Sequence, residues 1–398
     1  MRKNGVNKEL IAIDGGVCAP QGFQICAARC GFMRDGNETA DLALLYAPKR
    51  YSTAYIGYDG GNVGACVALS KKHVDASMSS AILFNGGVAN GYGADAADLA
   101  EKVSRLLANK LKIDRKEIVH ISTGDLGGKA DLATYQRGID TLDLFTNEKR
   151  QETRILAEVF KNNPENNGLA FSFQLGDIVC TIGAYFHFNS LKGGVGTNCV
   201  VLTTDVSIAP KMLQKALKNV TNEYFNMLGD KLVSPNDCVC MLASGTANNW
   251  TIAENNSDYQ KFVYALSSVA DKICKKAVEI ENGKGFLVKI IGAQSKNAAK
   301  RLALRTVSYG GIKNASDGKK LDAQRLLYAL LGTEDTVSFE GIRITLQSRK
   351  GELVIFEEET LLPVNAEKEK EVLLGGDLEI IIRLSNGNYC ASAYGFFA

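Results

Sequence analysis

The stretch FSFQLGDIVCTIGAYFHFNSLKGGVGTNCVVLTTD, from Phe171 to Asp205, decides how the rest of the chain is read. Phe171 to Phe188 is apolar, rich in strand formers and nearly uncharged, so it reads as sheet. A glycine-rich connection, Leu191-Lys-Gly-Gly-Val-Gly196, follows, and Cys199-Val-Val-Leu202 reads as another strand. Glycines adopt backbone conformations closed to other residues and can leave a peptide bond strained and exposed. A Gly196–Thr197 bond at a strand start is what a self-cleaving N-terminal nucleophile requires. The threonine hydroxyl attacks the preceding carbonyl, an ester forms, and water releases it. The new terminal threonine then carries its own base, an α-amine with a pKa near ~7.7. A Gly-Gly-x-Gly run also serves as a plain flexible loop, and these residues alone leave both readings open.

Working outward, Ala81-Ile-Leu-Phe84 and Ile118-Val-His-Ile121 read as buried strands. Each runs into a polar or glycine-rich turn, Asn85-Gly86-Gly87 and Ser122-Thr123-Gly124. Between them Leu99, Val103, Leu106, Leu107 and Leu111 recur at helical spacing over Ala96 to Leu111. That is a β-loop-α-β-loop pattern with candidate functional loops at strand ends. Downstream, Pro210 to Leu228 and Asp258 to Ile280 carry helical periods. Val239 to Ala243 and Phe286 to Ile291 read as strands, and the tail from Val337 is strand-rich. The alternation predicts an α/β fold, a layered α/β sandwich. Neither glycine turn matches a phosphate-binding loop. A strand that stops at Thr123-Gly124 can instead present N–H groups to an oxyanion, or be an ordinary turn.

The bulk numbers narrow the function classes. The 398 residues carry 46 basic and 44 acidic side chains, a net charge of +2. Such balance offers no electrostatic case for nucleic acid or an anionic membrane. The start lacks an apolar signal core, and no run reaches membrane-spanning length. Ten cysteines are scattered without a second pair at zinc spacing, which predicts buried thiols and a reducing cytoplasm. The three histidines, 73, 120 and 187, lie in apolar or loop settings that suit structural roles. No metal and no cofactor is expected.

Collinear blocks then point to a family. Gly15-Gly-Val-Cys-Ala-Pro-Gln-Gly-Phe23 resembles the Gly-Gly-Val-x-Ala-Pro-x-Gly-Phe opening of ornithine acetyltransferases, and Asp41-Leu-Ala-Leu44 their next block. Asn85-Gly-Gly-Val-Ala-Asn90 is similar to an Asn-Ser-Gly-Asn-Ala-Asn loop, and Ser122-Thr123-Gly124 to an oxyanion-forming Ser-Thr-Gly turn. Thr197 with Leu202-Thr-Thr-Asp205 resembles Met-Ala-Thr-Met-Leu-x-x-(Ile/Leu)-Thr-Thr-Asp. Asn236-Asp237, Leu242-Ala-Ser-Gly245 and Ala391-Ser-Ala-Tyr394 resemble the later blocks. These cover nearly the whole chain.

The resemblance implies a nucleophile, Thr197, freed by cleavage at Gly196–Thr197 into an α chain, 1–196, and a β chain, 197–398, assembled as an α2β2 heterotetramer. It implies acetyl transfer from N-acetylornithine to glutamate or water without a cofactor, with Thr123 and Gly124 holding the oxyanion. Asn85, Asn90 and, in Leu144-Phe-Thr-Asn147, Thr146 are candidate contacts to a small N-acyl amino acid. Departures fall on the substrate side. Phe186 stands where the family has a substrate-contacting lysine. In Asn282-Gly-Lys284-Gly285, Lys284 replaces the glutamate that pairs with the substrate's ammonium group. The chain also ends at Ala398, ahead of the family's terminal segment with its substrate-binding asparagine. A charge-inverted pocket suits an acidic substrate, so a related amidase or acyltransferase is a second reading, and an inactive relative with a binding role a third.

Overall fold

The computed structural model describes residues 10–397 apart from 34–38, 76–77, 92, 129, 145–150, 162–166, 189–195, 230–232, 283–284, 310–320, 322 and 336. The chain divides into two compact units. The first holds the strands β1 (Ile11–Ile13), β2 (Gln24–Ala28), β3 (Leu42–Gly57), β4 (Met78–Asn85), β5 (Ile118–Ser122), β6 (Gly168–Leu175), β7 (Ile178–Phe188), β8 (Asn198–Thr204) and β9 (Cys238–Ala243). Helices α1 (Ala65–Val74), α2 (Ala96–Leu111), α3 (Leu132–Thr141) and α4 (Glu152–Phe160) belong to it, with most of α5 (Pro210–Glu223) and the first half of α6 (Ser257–Asn282).

One nine-stranded sheet orders these strands β1-β6-β7-β8-β9-β3-β4-β5, with β2 paired to β3. Pairing is antiparallel except for β4–β5 and β8–β9, which are parallel. The 16-residue β3 joins two regions. Its first part pairs with β2 and β4, and its last part, Ser52 to Gly57, pairs with β9. One core cluster draws on both regions: Leu45, Ile82, Phe84 and Ile121 from one, Tyr185, Cys199, Val201 and Leu242 from the other. Residues of α1 and α4 complete it. The alternate residues Leu42, Leu44, Ala81, Leu83 and Ile118 face a second cluster against α2 and α3. Period-two alternation thus feeds both faces of one sheet, and helices cover it.

The second unit is a six-stranded sheet of order β13-β12-β11-β14-β10-β15. Its strands are β10 (Gly285–Ala293), β11 (Arg343–Ser348), β12 (Gly351–Glu357), β13 (Thr360–Leu361), β14 (Leu378–Arg383) and β15 (Tyr389–Phe396). The helices are α7 (Lys296–Ser308), α8 (Ala323–Leu331) and α9 (Ala366–Leu373). Ser295 caps α7 by accepting from the Ala298 N–H at 3.1 Å, and Asn365 caps α9 in the same way.

The layered α/β expectation is met. Strands Ala81–Phe84, Ile118–Ile121 and Cys199–Leu202 and the helix Ala96–Leu111 fall where the patterns placed them. The helical period from Pro210 breaks earlier than Leu228: α5 ends at Glu223, and a 3-10 turn covers Phe225–Met227. Nine of the ten cysteines are buried and Cys390 is exposed. Among the described residues no helix is long and apolar enough to cross a membrane, and no group of three or more His, Cys, Asp or Glu side chains could hold a metal ion.

Candidate active site

The candidate site lies wholly in the first unit, where four strand ends meet. The parallel strands β4 and β5 end side by side at Asn85 and Ser122. Their following loops stay zipped together: Thr123 N–H donates to Asn85 O at 3.0 Å, Asp125 N–H to Gly87 O at 3.1 Å and Ala89 N–H to Asp125 O at 3.1 Å. This close approach is what requires glycine. Gly124 has φ +122°, and a Cβ there would fall 2.2 Å from the Gly87 carbonyl carbon.

The zipping redefines the oxyanion turn. The Thr123 N–H is already committed to Asn85, so it is not the donor expected from the sequence. Two other donors remain. Among the described residues neither the Thr123 side-chain hydroxyl nor the Gly124 N–H has a hydrogen-bond partner. Adjacent in the chain and unpaired, they are donors of the kind an oxyanion needs.

Thr197 precedes the first residue of β8 and is 2% exposed. Its hydroxyl lies 3.4 Å from Ser122 O, one residue before the turn. The next residue is clamped: Asp237 accepts from the Asn198 backbone N–H at 2.7 Å and from the Asn198 side-chain amide at 3.1 Å to each carboxylate oxygen. Ser234 N–H donates to the same carboxylate at 3.1 Å. Asn236 donates through Nδ2 to Ala89 O at 2.6 Å and to Ser122 O at 3.1 Å. Among the described residues its buried Oδ1 has no hydrogen-bond partner, a condition that costs about 1–3 kcal/mol. Sequence reading had quoted Asn236-Asp237 within a block but assigned the pair no role; a polar dipeptide directly before a buried strand was the available signal.

The other expected residues take different positions. Asn85 is 4% exposed and its side chain braces the loops: Oδ1 accepts from Ser122 Oγ at 2.7 Å and from Tyr135 OH at 3.0 Å, and Nδ2 donates to Val88 O at 2.7 Å. Both Oδ1 lone pairs are taken, so the side chain braces the loops. Asn90 takes a left-handed conformation, φ +42°, and its amide faces Cys66 Sγ at 3.8 Å. Phe186 is 1% exposed, opposite Val200 in the ladder, its ring 6.0 Å from that of Phe188. Thr146 and Lys284 lie outside the described residues. Gly196 is half-buried beside Thr197.

The histidines are core residues, as expected. His73 Nδ1 meets Ile118 O at 2.7 Å and His120 Nε2 meets Ser104 Oγ at 2.6 Å, while the His187 ring packs 4.9 Å from Phe160. Burial pushes the imidazole pKa of His120 down to about 3 and that of His187 down to about 4.

With this geometry in place, comparison with known proteins identifies the chain. The ArgJ family matches residues 24–396. The chain belongs to the ArgJ family. It is 27% identical over 365 residues to the arginine biosynthesis bifunctional protein ArgJ 1 of Clostridium acetobutylicum, covering 90% of this chain and 89% of that one. It is 25% identical over 397 residues to the arginine biosynthesis bifunctional protein ArgJ of Caldanaerobacter subterraneus subsp. tengcongensis, covering 96% and 95%. Among solved structures, the arginine biosynthesis bifunctional protein ArgJ of Bacillus halodurans aligns with TM-score 0.46 at 26% identity, over 51% of this chain and 93% of that one. The family and acyltransferase class read from the sequence blocks both stand. The amidase and binding-protein alternatives gain nothing from these relatives.

Proposed function

We propose that this ArgJ-family chain cleaves its own Gly196–Thr197 bond and then uses Thr197 as an acyl carrier between N-acetylornithine and glutamate. The observation that carries the reading is the Thr197 hydroxyl, 3.4 Å from Ser122 O, next to the unpaired donors of Thr123 and Gly124. In the cleavage step the Thr197 oxygen bonds to the Gly196 carbonyl carbon, the C–N bond breaks, and the amide nitrogen leaves as the α-amine. Water then opens the ester to give segments 1–196 and 197–398.

In turnover the freed α-amine, with an ordinary pKa near ~7.7, takes the hydroxyl proton as the oxygen attacks the acetyl carbonyl. The Thr123 hydroxyl and Gly124 N–H receive the negative charge that develops on oxygen. Collapse transfers the proton to the departing ornithine amine and leaves acetyl-Thr197. The glutamate amine attacks that ester by the reverse path, and Thr197 is regenerated. No step calls for a cofactor.

The reading extends to a cytoplasmic α2β2 assembly of cleaved chains and to substrate contacts from Asn90, Thr146 and Lys284. The balanced surface charge and buried thiols fit a small-molecule enzyme of the cytoplasm. Incubating purified protein with N-acetylornithine tests the chemistry. An acetyl increment confined to the 197–398 segment, discharged by glutamate to N-acetylglutamate, is the expected result. Loading by other N-acyl amino acids with no response to N-acetylornithine would overturn the substrate assignment.

A further inference from the structure

Asn236 joins parts of the site that lie far apart in sequence. It lies in the short loop before β9 and is 2% exposed. Its single amide nitrogen donates to two carbonyls, Ala89 O in the loop after β4 at 2.6 Å and the O of Ser122, the last residue of β5, at 3.1 Å. Ser122 O is also the acceptor for the Thr197 hydroxyl. One carbonyl therefore ties the nucleophile, the oxyanion turn and Asn236 together.

The other end of the same side chain is equally constrained. Asn236 Oδ1 is buried, finds no hydrogen-bond donor among the described residues and packs against Gly64. A Cβ on Gly64 would fall 1.8 Å from that oxygen. Gly64 immediately precedes α1, and its N–H donates to Pro235 O at 3.0 Å, while Ala65 N–H donates to Gly91 O at 3.0 Å. The oxygen thus rests at the positive end of a helix dipole, which offsets part of its missing bond. Asp237 meanwhile clamps Asn198 beside the nucleophile. Two successive residues hold the two halves of the site.

We propose that Asn236 is a positioning residue, setting the Thr197 hydroxyl against the Thr123–Gly124 donors through Ser122 O. The proposal rests on the reading of Thr197 as nucleophile. The chemistry is specific to an amide. A leucine of similar size has no donor, and an aspartate would set a carboxylate oxygen against two carbonyl oxygens.

Two variants test it from different sides. N236A removes the bridge. G64A leaves the amide in place but drives a methyl into Oδ1; the Gly64 backbone, φ −65° and ψ 147°, accepts alanine without strain of its own. Misplacing a reacting group by ~1 Å costs about 10²-fold in rate. Self-cleavage followed on denaturing gels, and kcat with N-acetylornithine and glutamate, should fall by about that factor in N236A with KM unchanged. G64A should also slow both rates, and the G64A/N236A double variant should be no slower than N236A alone, because Oδ1 is then gone. Should N236A fail to fold, slowed cleavage in folded G64A supports the proposal. Rates within about twofold of wild type in either folded variant, or multiplicative losses in the double variant, would overturn it. Failure of the wild type itself to cleave would remove the Thr197 reading beneath it. Normal cleavage in both wild type and N236A would remove only the role of Asn236.

Discussion

The two ends of β8 carry the same kinds of side chain and use them in opposite ways. At the far end, Thr203 donates to Val17 O at 2.8 Å, Thr204 donates to Thr181 O at 2.7 Å, and Asp205 accepts from the Thr181 N–H at 2.7 Å. Every polar group there finds a backbone partner, and the N-terminal glycine block, β7 and β8 are laced together. Gly183 belongs to the same brace, since a Cβ there would lie 2.1 Å from Gly16 O. At the near end, Thr197 has one long contact, Thr123 Oγ and Gly124 N–H have none among the described residues, and Asn236 Oδ1 is orphaned. Buried polar groups are normally satisfied, and Asn236 Oδ1, a buried side-chain atom without a partner among the described residues, lies at the end proposed to be reactive.

The same substitution at the two ends should therefore give different readouts. Thr123→Val removes a free donor, and the loss expected in kcat is about 10²-fold, with little change in melting temperature. Comparable activity in T123V would break the comparison at its reactive end. The next effect comes from pH. Unfolded histidine takes a proton near its ordinary value of 6.5, whereas folded His120 and His187 resist until about 3 and about 4 because burial penalises the charged ring. The unfolded state thus binds more protons in that window, and stability falls as pH drops from about 6.5 toward 4 by up to ~1.4 kcal/mol per pH unit per histidine. Urea titrations at pH 7 and pH 5 should show this fall, and His120→Gln should flatten it. An unchanged slope in H120Q would show that its burial is not linked to stability. Thr204→Val gives the smallest effect: about 1 kcal/mol of lost stability, seen in urea unfolding, with kcat within about twofold of wild type. A large kcat loss in T204V would erase the distinction between brace and site.

How much of this was legible beforehand differs between the two ends as well. Periodicity found the strands that make both, because Ala81–Phe84, Ile118–Ile121 and Cys199–Leu202 are continuous apolar runs bounded by glycine or polar turns. Thr197, Thr123 and Gly124 stood out as candidates through the family resemblance, since the glycine turns alone also read as plain loops. Which Thr123 atom remains free was not legible, because the Thr123 N–H bond to Asn85 O arises from the parallel pairing of two strands distant in sequence. The same holds for Asn85, whose loop block suggested a substrate contact but not its bracing partners Ser122 and Tyr135. Asn236 was missed for the complementary reason: its partners Ala89 and Ser122 lie more than a hundred residues away, and no local pattern encodes them. Strand β3 shows the limit for fold. Its charged midsection, Lys49-Arg50, interrupts the apolar pattern, yet the strand runs on to pair with β9.

The central claim is that Thr197 is a nucleophile freed from its own chain, and intact mass of purified wild type beside Thr197→Ala tests it most directly. The account predicts two fragments, 1–196 and 197–398, for the wild type and one full-length species for T197A. A wild type that remains whole, or a T197A protein split at the same bond, would contradict it.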